Sequence, residues 1–87
     1  MASQEKIHAS AEQIAAARRL LRMTQTDLAQ ASGITDRTIT AFESGKSVPH
    51  ESTAEALQTA LENRGIVFSN GDKPTVQLDH SKAIIPT

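Results

Sequence analysis

The chain has 87 residues, of which 38% are hydrophobic and 22% are charged, as in one small globular domain. It contains no cysteine, which excludes a disulfide framework and a thiolate zinc site and fits a reducing compartment. No apolar run approaches the roughly 18 residues of a membrane span, and the first residues do not follow a signal-peptide pattern. We therefore expect a soluble, cytoplasmic protein.

The net charge is −1, but the charges are unevenly distributed along the chain. Five arginine or lysine side chains stand against three acidic ones in residues 18–46, whereas three glutamates stand against one arginine in residues 47–64. Phosphate neutralisation supplies much of the affinity of proteins for nucleic acid. A near-neutral chain can have a basic surface on one side and an acidic surface on the other, so DNA remains among the expected partners.

Helix caps and apolar spacing predict four short helices in chain order. The first, "SAEQIAAARRLLR", opens with a capping box formed by Ser10 and Gln13 and carries one apolar stripe. The second, "TQTDLAQAS", has the same type of opening. The third runs from a Thr35 cap to Gly45, and the fourth is "ESTAEALQTALENR".

Two β-branched runs after Gly65, "IVFS" and "TVQL", are separated by "NGDKP", which predicts a hairpin turning at Asn70 and Gly71. An isolated hairpin is marginally stable in water and needs a partner surface. Alternation places four apolar side chains on one face, for which no helix is left, so we expect this face or a free strand edge to form a homodimer. The expected dimerisation residues are Ile66, Phe68, Val76 and Leu78. The alternative is a ribbon folded back on its own helices.

The predicted organisation is a flexible N-terminus over residues 1–9, a helical DNA-binding domain over 10–65, the hairpin over 66–79 and a loose tail over 80–87.

The second and third helices fit a helix-turn-helix unit counted from Gln25. Ala29 at the fifth position is small enough for two helices to cross closely, and Gly33 at the ninth lets the chain reverse. The apolar positions are Leu28, Ile34, Ile39 and Phe42. The alternative is an ordinary helical hairpin within a bundle.

The stretches "MTQTDLAQASGITDRTITAFESGK" and "VPHESTAEALQTAL" resemble the Cro and phage-repressor type of helix-turn-helix regulators, the XRE family. The resemblance covers about residues 10–65 and implies a compact helical bundle whose third helix lies in the major groove of DNA. Two departures are the hairpin in place of a fifth helix and Ala54, where the family more often has a larger apolar residue. We expect a mainly α fold, a compact four-helix lambda-repressor-like domain with a C-terminal β-hairpin.

The resemblance implies that the first turn of the third helix meets base edges. The expected base-reading residues are Thr35, Asp36, Arg37, Thr40 and Ala41. The guanidinium of Arg37 has the geometry to pair with guanine N7 and O6. Asp36 can accept from a cytosine amine or complement the helix dipole, and the sequence does not choose between these roles.

Phosphate contacts are expected on both sides of that turn, with the start of the second helix as the usual anchor of the family. The expected phosphate-binding residues are Gln25, Thr26, Arg18, Thr38, Ser44, Lys46 and Ser47. For Arg18 the resemblance also implies an ion pair with Glu43 beneath the phosphate surface.

An enzyme is not expected, because the three histidines are far apart and neither a phosphate-binding glycine loop nor a nucleophile motif is present. No cofactor or metal is implied. We expect a homodimeric transcriptional regulator of bacterial or phage type that binds a two-fold operator in double-stranded DNA. It would repress its own operon or control a neighbouring one. The alternative is a protein-interaction module, such as an antitoxin or antiactivator, that uses the same frame to bind a regulatory protein.

Overall fold

The computed structural model describes residues 9–46, 50–70 and 72–84. Four α-helices precede a two-stranded antiparallel sheet and a single turn of 3-10 helix. The elements are α1 (Ala11–Leu20), α2 (Gln25–Ser32), α3 (Asp36–Glu43), α4 (Glu51–Glu62), β1 (Ile66–Ser69), β2 (Thr75–Leu78) and the 3-10 helix (His80–Lys82). The expected mainly α fold with a C-terminal hairpin is confirmed. None of the helices in these ranges has the length and apolarity needed to cross a bilayer.

The starts of α1 and α2 are fixed by reciprocal side-chain caps. The Ser10 hydroxyl accepts from the N–H of Gln13 at 3.1 Å, while the Gln13 side chain accepts from the N–H of Ser10 at 2.9 Å. Thr24 and Asp27 repeat this exchange at α2, at 3.0 and 2.9 Å. Both capping boxes satisfy N–H groups that have no partner inside the helix, as the sequence predicts.

The end of α1 differs from the prediction, which extended the helix through Arg22. Arg22 adopts a left-handed conformation, with φ at 59°. Its N–H donates to the carbonyl of Arg19 at 3.0 Å, and the N–H of Met23 donates to the carbonyl of Arg18 at 2.9 Å. This is the hydrogen-bond pattern of a Schellman C-cap, which usually has glycine at the left-handed position. The sequence therefore carries no glycine signal for this helix end.

The turn between α2 and α3 has the conformation that the sequence predicts. Gly33 has φ at +79°, and a Cβ built there would meet nothing within 4 Å. Glycine is thus favoured at this position by the backbone angle and not by lack of space. Its N–H donates to the carbonyl of Ala29 at 2.9 Å, which ends α2.

All four helices contribute to one apolar core. Its largest fully buried side chains are Ile14, Leu28, Ile39, Leu57 and Leu61. Phe42 joins the core at 6% exposure, and Ile34 packs against it from the turn. Ala54 is also buried, so the small residue that departs from the family pattern faces inward.

The hairpin has the predicted strands, but its apolar face is covered. β1 pairs with β2 in the register that sets Ile66 opposite Leu78 and Phe68 opposite Val76. Ile66 is 2% exposed, and the other three side chains pack against the helical core. β2 lies against α1 and β1 lies against α4. The expectation that no helix would cover this face is therefore wrong, because α1 and α4 have apolar surface beyond what the helical core uses.

A glutamine joins the first helix to the hairpin. The side-chain amide of Gln13 donates to the carbonyls of Ser69 and Thr75, at 3.2 and 3.1 Å. Since its carbonyl accepts from Ser10, Gln13 is buried with its polar groups satisfied. The capping box is visible in the sequence. The bonds from Gln13 to the hairpin are not, because their acceptors lie 56 and 62 positions further along the chain.

Both ends of the described chain are tied down. Ala9, assigned above to a flexible N-terminus, is buried, and its N–H donates to Oε1 of Gln58 at 2.8 Å. The expected loose tail instead begins with the 3-10 helix, and the N–H of Ile84 donates to the carbonyl of Asn63 at 2.7 Å. Residues 1–8 and 85–87 lie outside the described ranges. The hairpin and the segment after it therefore belong to the same folded unit as the helices.

Candidate nucleic-acid interface

The first turn of α3 lies at the protein surface. Ile39 and Phe42 turn inward, so the helical repeat places the opposite side of α3 outward. Of the five expected base-reading residues, Ala41 is half-buried and the other four are exposed: Thr35, Asp36, Arg37 and Thr40. The structure thus brings these side chains to one surface.

Arg37 stands free on this surface. Within the described ranges its guanidinium makes neither a hydrogen bond nor an ion pair. An exposed arginine without an internal partner keeps all five N–H donors available to a ligand. This makes Arg37 the most available cationic side chain in the first turn of α3.

Asp36 is held by the preceding helix. The Thr26 hydroxyl donates to Oδ2 of Asp36 at 2.7 Å. Asp36 also lies in the first turn of α3, where a carboxylate complements the helix dipole. The hydrogen bond therefore gives Asp36 a structural partner, while its other oxygen remains an acceptor.

Two threonine hydroxyls at the start of α3 bond to each other. Thr35 caps the helix by accepting from the N–H of Thr38 at 3.3 Å, and its hydroxyl donates to the Thr38 hydroxyl at 3.0 Å. The cap fixes the entry of the chain into α3. Because Arg37 lies between Thr35 and Thr38, this cap holds the backbone that carries the free guanidinium.

Gln25 connects α2 to two places on α3. Its side-chain carbonyl accepts from the Thr40 hydroxyl at 2.9 Å, and its amide donates to Oε1 of Glu43 at 3.0 Å. Gln25 is predicted above as a phosphate anchor, but these contacts were not predicted. They span 15 and 18 residues, so no helical spacing reveals them. Gln25 thus orients Thr40 and ties the two helices together.

Glu43 continues this network into an ion pair with Arg18. The Arg18 Nε donates to Glu43 Oε2 and Nη2 donates to Oε1, each at 2.9 Å, while Nη1 donates to the carbonyl of Met23 at 2.8 Å. The side chains are only 11% and 7% exposed. The ion-pair alternative for Arg18 is therefore what the structure contains. Its inclusion among the phosphate-binding side chains is corrected, because its donors point at Glu43 and Met23.

The pair perturbs both ionisable groups. Burial alone would raise the pKa of Glu43, but hydrogen bonds from Arg18 and Gln25, with the charges of Arg18 and Arg19, hold its pKa below the usual value. The hydrogen bond to Glu43 raises the pKa of Arg18 despite the opposing effect of burial. Both groups are therefore charged at neutral pH.

The exit of α3 places further polar groups beside the same helix. The Ser44 hydroxyl donates to the carbonyl of Ala41 at 3.1 Å, and the backbone N–H of Lys46 donates to that same carbonyl at 3.1 Å. The Lys46 side chain is exposed and makes no polar contact within the described ranges. Ser47 lies outside those ranges. The backbone of Lys46 is thus fixed while its ammonium group is free.

A family model described as helix-turn-helix matches residues 14–64, more than half of the chain. The chain belongs to the XRE, or Cro/CI-type, helix-turn-helix family. Comparison with curated proteins gives no match. XRE-family membership makes the protein a DNA-binding helix-turn-helix regulator, and double-stranded DNA is its partner.

The family match begins within α1, covers α2, α3 and α4, and stops before the hairpin. The helix-turn-helix unit of the XRE family is α2, the turn at Gly33 and α3. Among the described residues no three histidine or acidic side chains come together as metal ligands. The exposed side of α3 and its two ends carry hydrogen-bonding groups, charged side chains and threonine methyl groups.

Proposed function

We propose that this regulator binds a two-fold operator as a homodimer and represses its own operon or a neighbouring one. The observation that carries the proposal is the free guanidinium of Arg37 on an ordered helix start. Its neighbours are held by Thr26 and Gln25 on α2, which limits their movement. A preorganised polar surface loses less conformational entropy when it binds.

Arg37 is the proposed base reader. A bidentate contact from arginine to guanine N7 and O6 contributes about 1–3 kcal/mol of discrimination against other bases. Thr40 donates its hydroxyl to Gln25, so its methyl group remains to meet a thymine methyl. Asp36, Thr35 and Ala41 complete the proposed base-facing surface.

The proposed phosphate contacts flank this surface. Lys46 after α3 supplies the free charge on one side, and the start of α2, with Gln25 and Thr26, lies on the other. Thr38, Ser44 and Ser47 are proposed neighbours of these contacts. Phosphate contacts position the protein without reading the sequence.

A two-fold operator needs two copies, because one helix-turn-helix unit reads one half-site and the half-sites lie about 34 Å apart. Control by a separate ligand-sensing domain is not part of the proposal. Concentration, dimerisation or a regulatory protein would set the occupancy of the operator.

The proposal is tested by selecting bound duplexes from a random DNA pool and then titrating the chain with the selected duplex and a scrambled one. We expect a palindromic consensus, tighter binding to the selected duplex, and an affinity that falls as the salt concentration rises. Fluorescence anisotropy provides the measurement. Equal binding to both duplexes at every salt concentration would overturn sequence-specific recognition and favour the protein-interaction alternative.

A further inference from the structure

An open apolar groove runs between α1 and the hairpin. Its apolar lining consists of Ala16, Leu20, Pro74 and Val76. Leu20 is 47% exposed, although a leucine side chain stabilises a fold or an interface most when it is removed from water. The groove lies beside α1 and β2, so it is made of elements other than the α2 and α3 surface described above.

Opposite charges border this groove on α1. Glu12 and Arg19 both line it, and both are exposed. Neither forms an ion pair within the described ranges. Seven residues are close to two helical turns, so the two charges lie on the same side of α1, with Ala16 between them.

This pattern is complementary to itself. A two-fold axis that passes between two copies of α1, level with the point between Ala15 and Ala16, makes the two helices antiparallel. It sets Glu12 of each copy level with Arg19 of the other, about 5 Å from the axis along the helix. Ala16 at the centre is small, which allows the helix axes to approach to about 8 Å. Both ion pairs and both copies of Leu20 would then lie in one interface.

A small apolar ligand is the competing occupant, since the groove has a volume of about 840 Å³. Such sites combine an apolar wall with a few polar groups aimed at the ligand. Here the buried polar side chain, Gln13, already bonds to Ser10, Ser69 and Thr75. Among the residues that the structure describes, the groove offers that ligand no free buried polar group, whereas its charges fit a second copy.

We propose that the groove between α1 and β2 is the interface between two copies of this chain, with Glu12 of each copy paired to Arg19 of the other. The inference rests on the proposed dimeric function and replaces the covered hairpin face as the interface. Val76, which belongs to the expected dimerisation set, lines the groove, so the hairpin still contributes to it.

A charge exchange tests the interface in the full chain. Glu12→Arg and Arg19→Glu each place like charges opposite each other in the homodimer, and we expect each to raise the dimer dissociation constant roughly tenfold or more. A mixture of the two variants restores both opposite-charge pairs, so we expect heterodimers where neither variant dimerises alone. Sedimentation with one variant fluorescently labelled measures this.

Glu51→Arg is the matched control, because Glu51 is also an exposed first-turn glutamate but lies on α4 outside the groove. We expect its dimerisation to match that of the unchanged chain. Thermal melts of each variant identify any loss of folding. Variants that dimerise like the unchanged chain, failure of the mixture to associate while both variants stay folded, or a monomeric unchanged chain would each overturn the proposal.

Binding to a single half-site duplex separates this inference from the proposed function. We expect the charge-exchange variants to retain half-site binding and to lose affinity only for the two-fold operator. If the unchanged chain bound the half-site duplex no better than a scrambled duplex, the proposed base reading would be contradicted. The interface would then be decided by the sedimentation result alone.

Discussion

At the scale of single residues, the surface of α3 is organised by which polar groups are already bonded. The hydroxyls of Thr26 and Thr40 donate to neighbouring side chains, whereas Arg37 and Lys46 keep their donors free within the described ranges. Bonded side chains keep one orientation, and free cations remain available for DNA. The two classes of residue therefore have different expected responses to substitution.

Substitution of Arg37 should remove sequence preference. Because lysine retains the charge but not the planar fork, we expect Arg37→Lys to lower affinity for the selected operator more than for a scrambled duplex, by about 1–3 kcal/mol. Lys46→Ala should weaken binding to both duplexes alike, since a phosphate contact carries no sequence information. Anisotropy titrations measure both effects. Equal losses on the two duplexes for Arg37→Lys would contradict its role as a reader.

Glu43 should make stability depend on pH. Burial opposes its charge, but the hydrogen bonds from Arg18 and Gln25 prevail and lower its pKa in the folded protein. The stabilisation is therefore present above the unfolded-state pKa and is lost as the pH falls through the folded-state pKa. Removing one partner of a buried pair costs about 3 kcal/mol or more, so Glu43→Gln should destabilise the chain by that order at pH 7.

The same variant should lose less stability than the unchanged chain when the pH is lowered from 7 to 3. Urea unfolding at the two pH values measures the difference. The matched control is Glu51→Gln, because the exposed Glu51 carboxyl makes no hydrogen bond or ion pair within the described ranges. We expect this variant to have nearly the stability of the unchanged chain at both pH values. An equal acid response in all three proteins would show that the pair does not contribute to the pH dependence.

At the scale of elements, local chemistry predicts where helices and strands begin. The capping boxes at Ser10 and Thr24 mark two helix starts, and the two β-branched runs match both strands. The end of α1 could not be predicted, because Arg22 occupies a conformation that sequence rules assign to glycine. The contacts of Gln25 could not be predicted either, since they depend on how two helices pack.

The buried face of α3 can be tested with the two phenylalanines of the chain. Phe42 is 6% exposed in the helical core, whereas Phe68 is half-buried in β1. We expect Phe42→Ala to lower the free energy of unfolding by about 3–5 kcal/mol and Phe68→Ala to lower it by less. Denaturant unfolding provides both values. A larger loss for Phe68→Ala would mean that the hairpin, not α3, holds the more important part of the core.

At the scale of the whole molecule, the hairpin is part of the core. The apolar alternation of its strands is visible in the sequence, but whether that face meets helices or a second copy depends on the surface that α1 and α4 leave open. In the structure this face meets the helices of its own chain, since Ile66 is only 2% exposed in a single copy. A chain of this size has a small core, so each buried side chain contributes a large share of its stability.

Removing the residues after Gly65 should therefore destabilise the helices. Full burial of one large apolar side chain contributes about 1.5–3 kcal/mol, and small domains have about 5–15 kcal/mol in total. We expect the shortened chain to melt well below the full chain, as followed by circular dichroism. A helical domain with an unchanged melting temperature would show that the hairpin packs on the helices without supporting them.

The bonds from Gln13 to Ser69 and Thr75 also set an order of events during synthesis. Gln13 is made early, but its hairpin acceptors emerge 56 and 62 residues later. Until then the nascent chain carries α1 with one side open to water and to chaperones. Contacts of such high sequence separation slow folding, and α2 and α3 are translated before the hairpin that completes the fold. A chain that ended between residues 46 and 69 would thus contain the complete helix-turn-helix sequence in an unfinished fold.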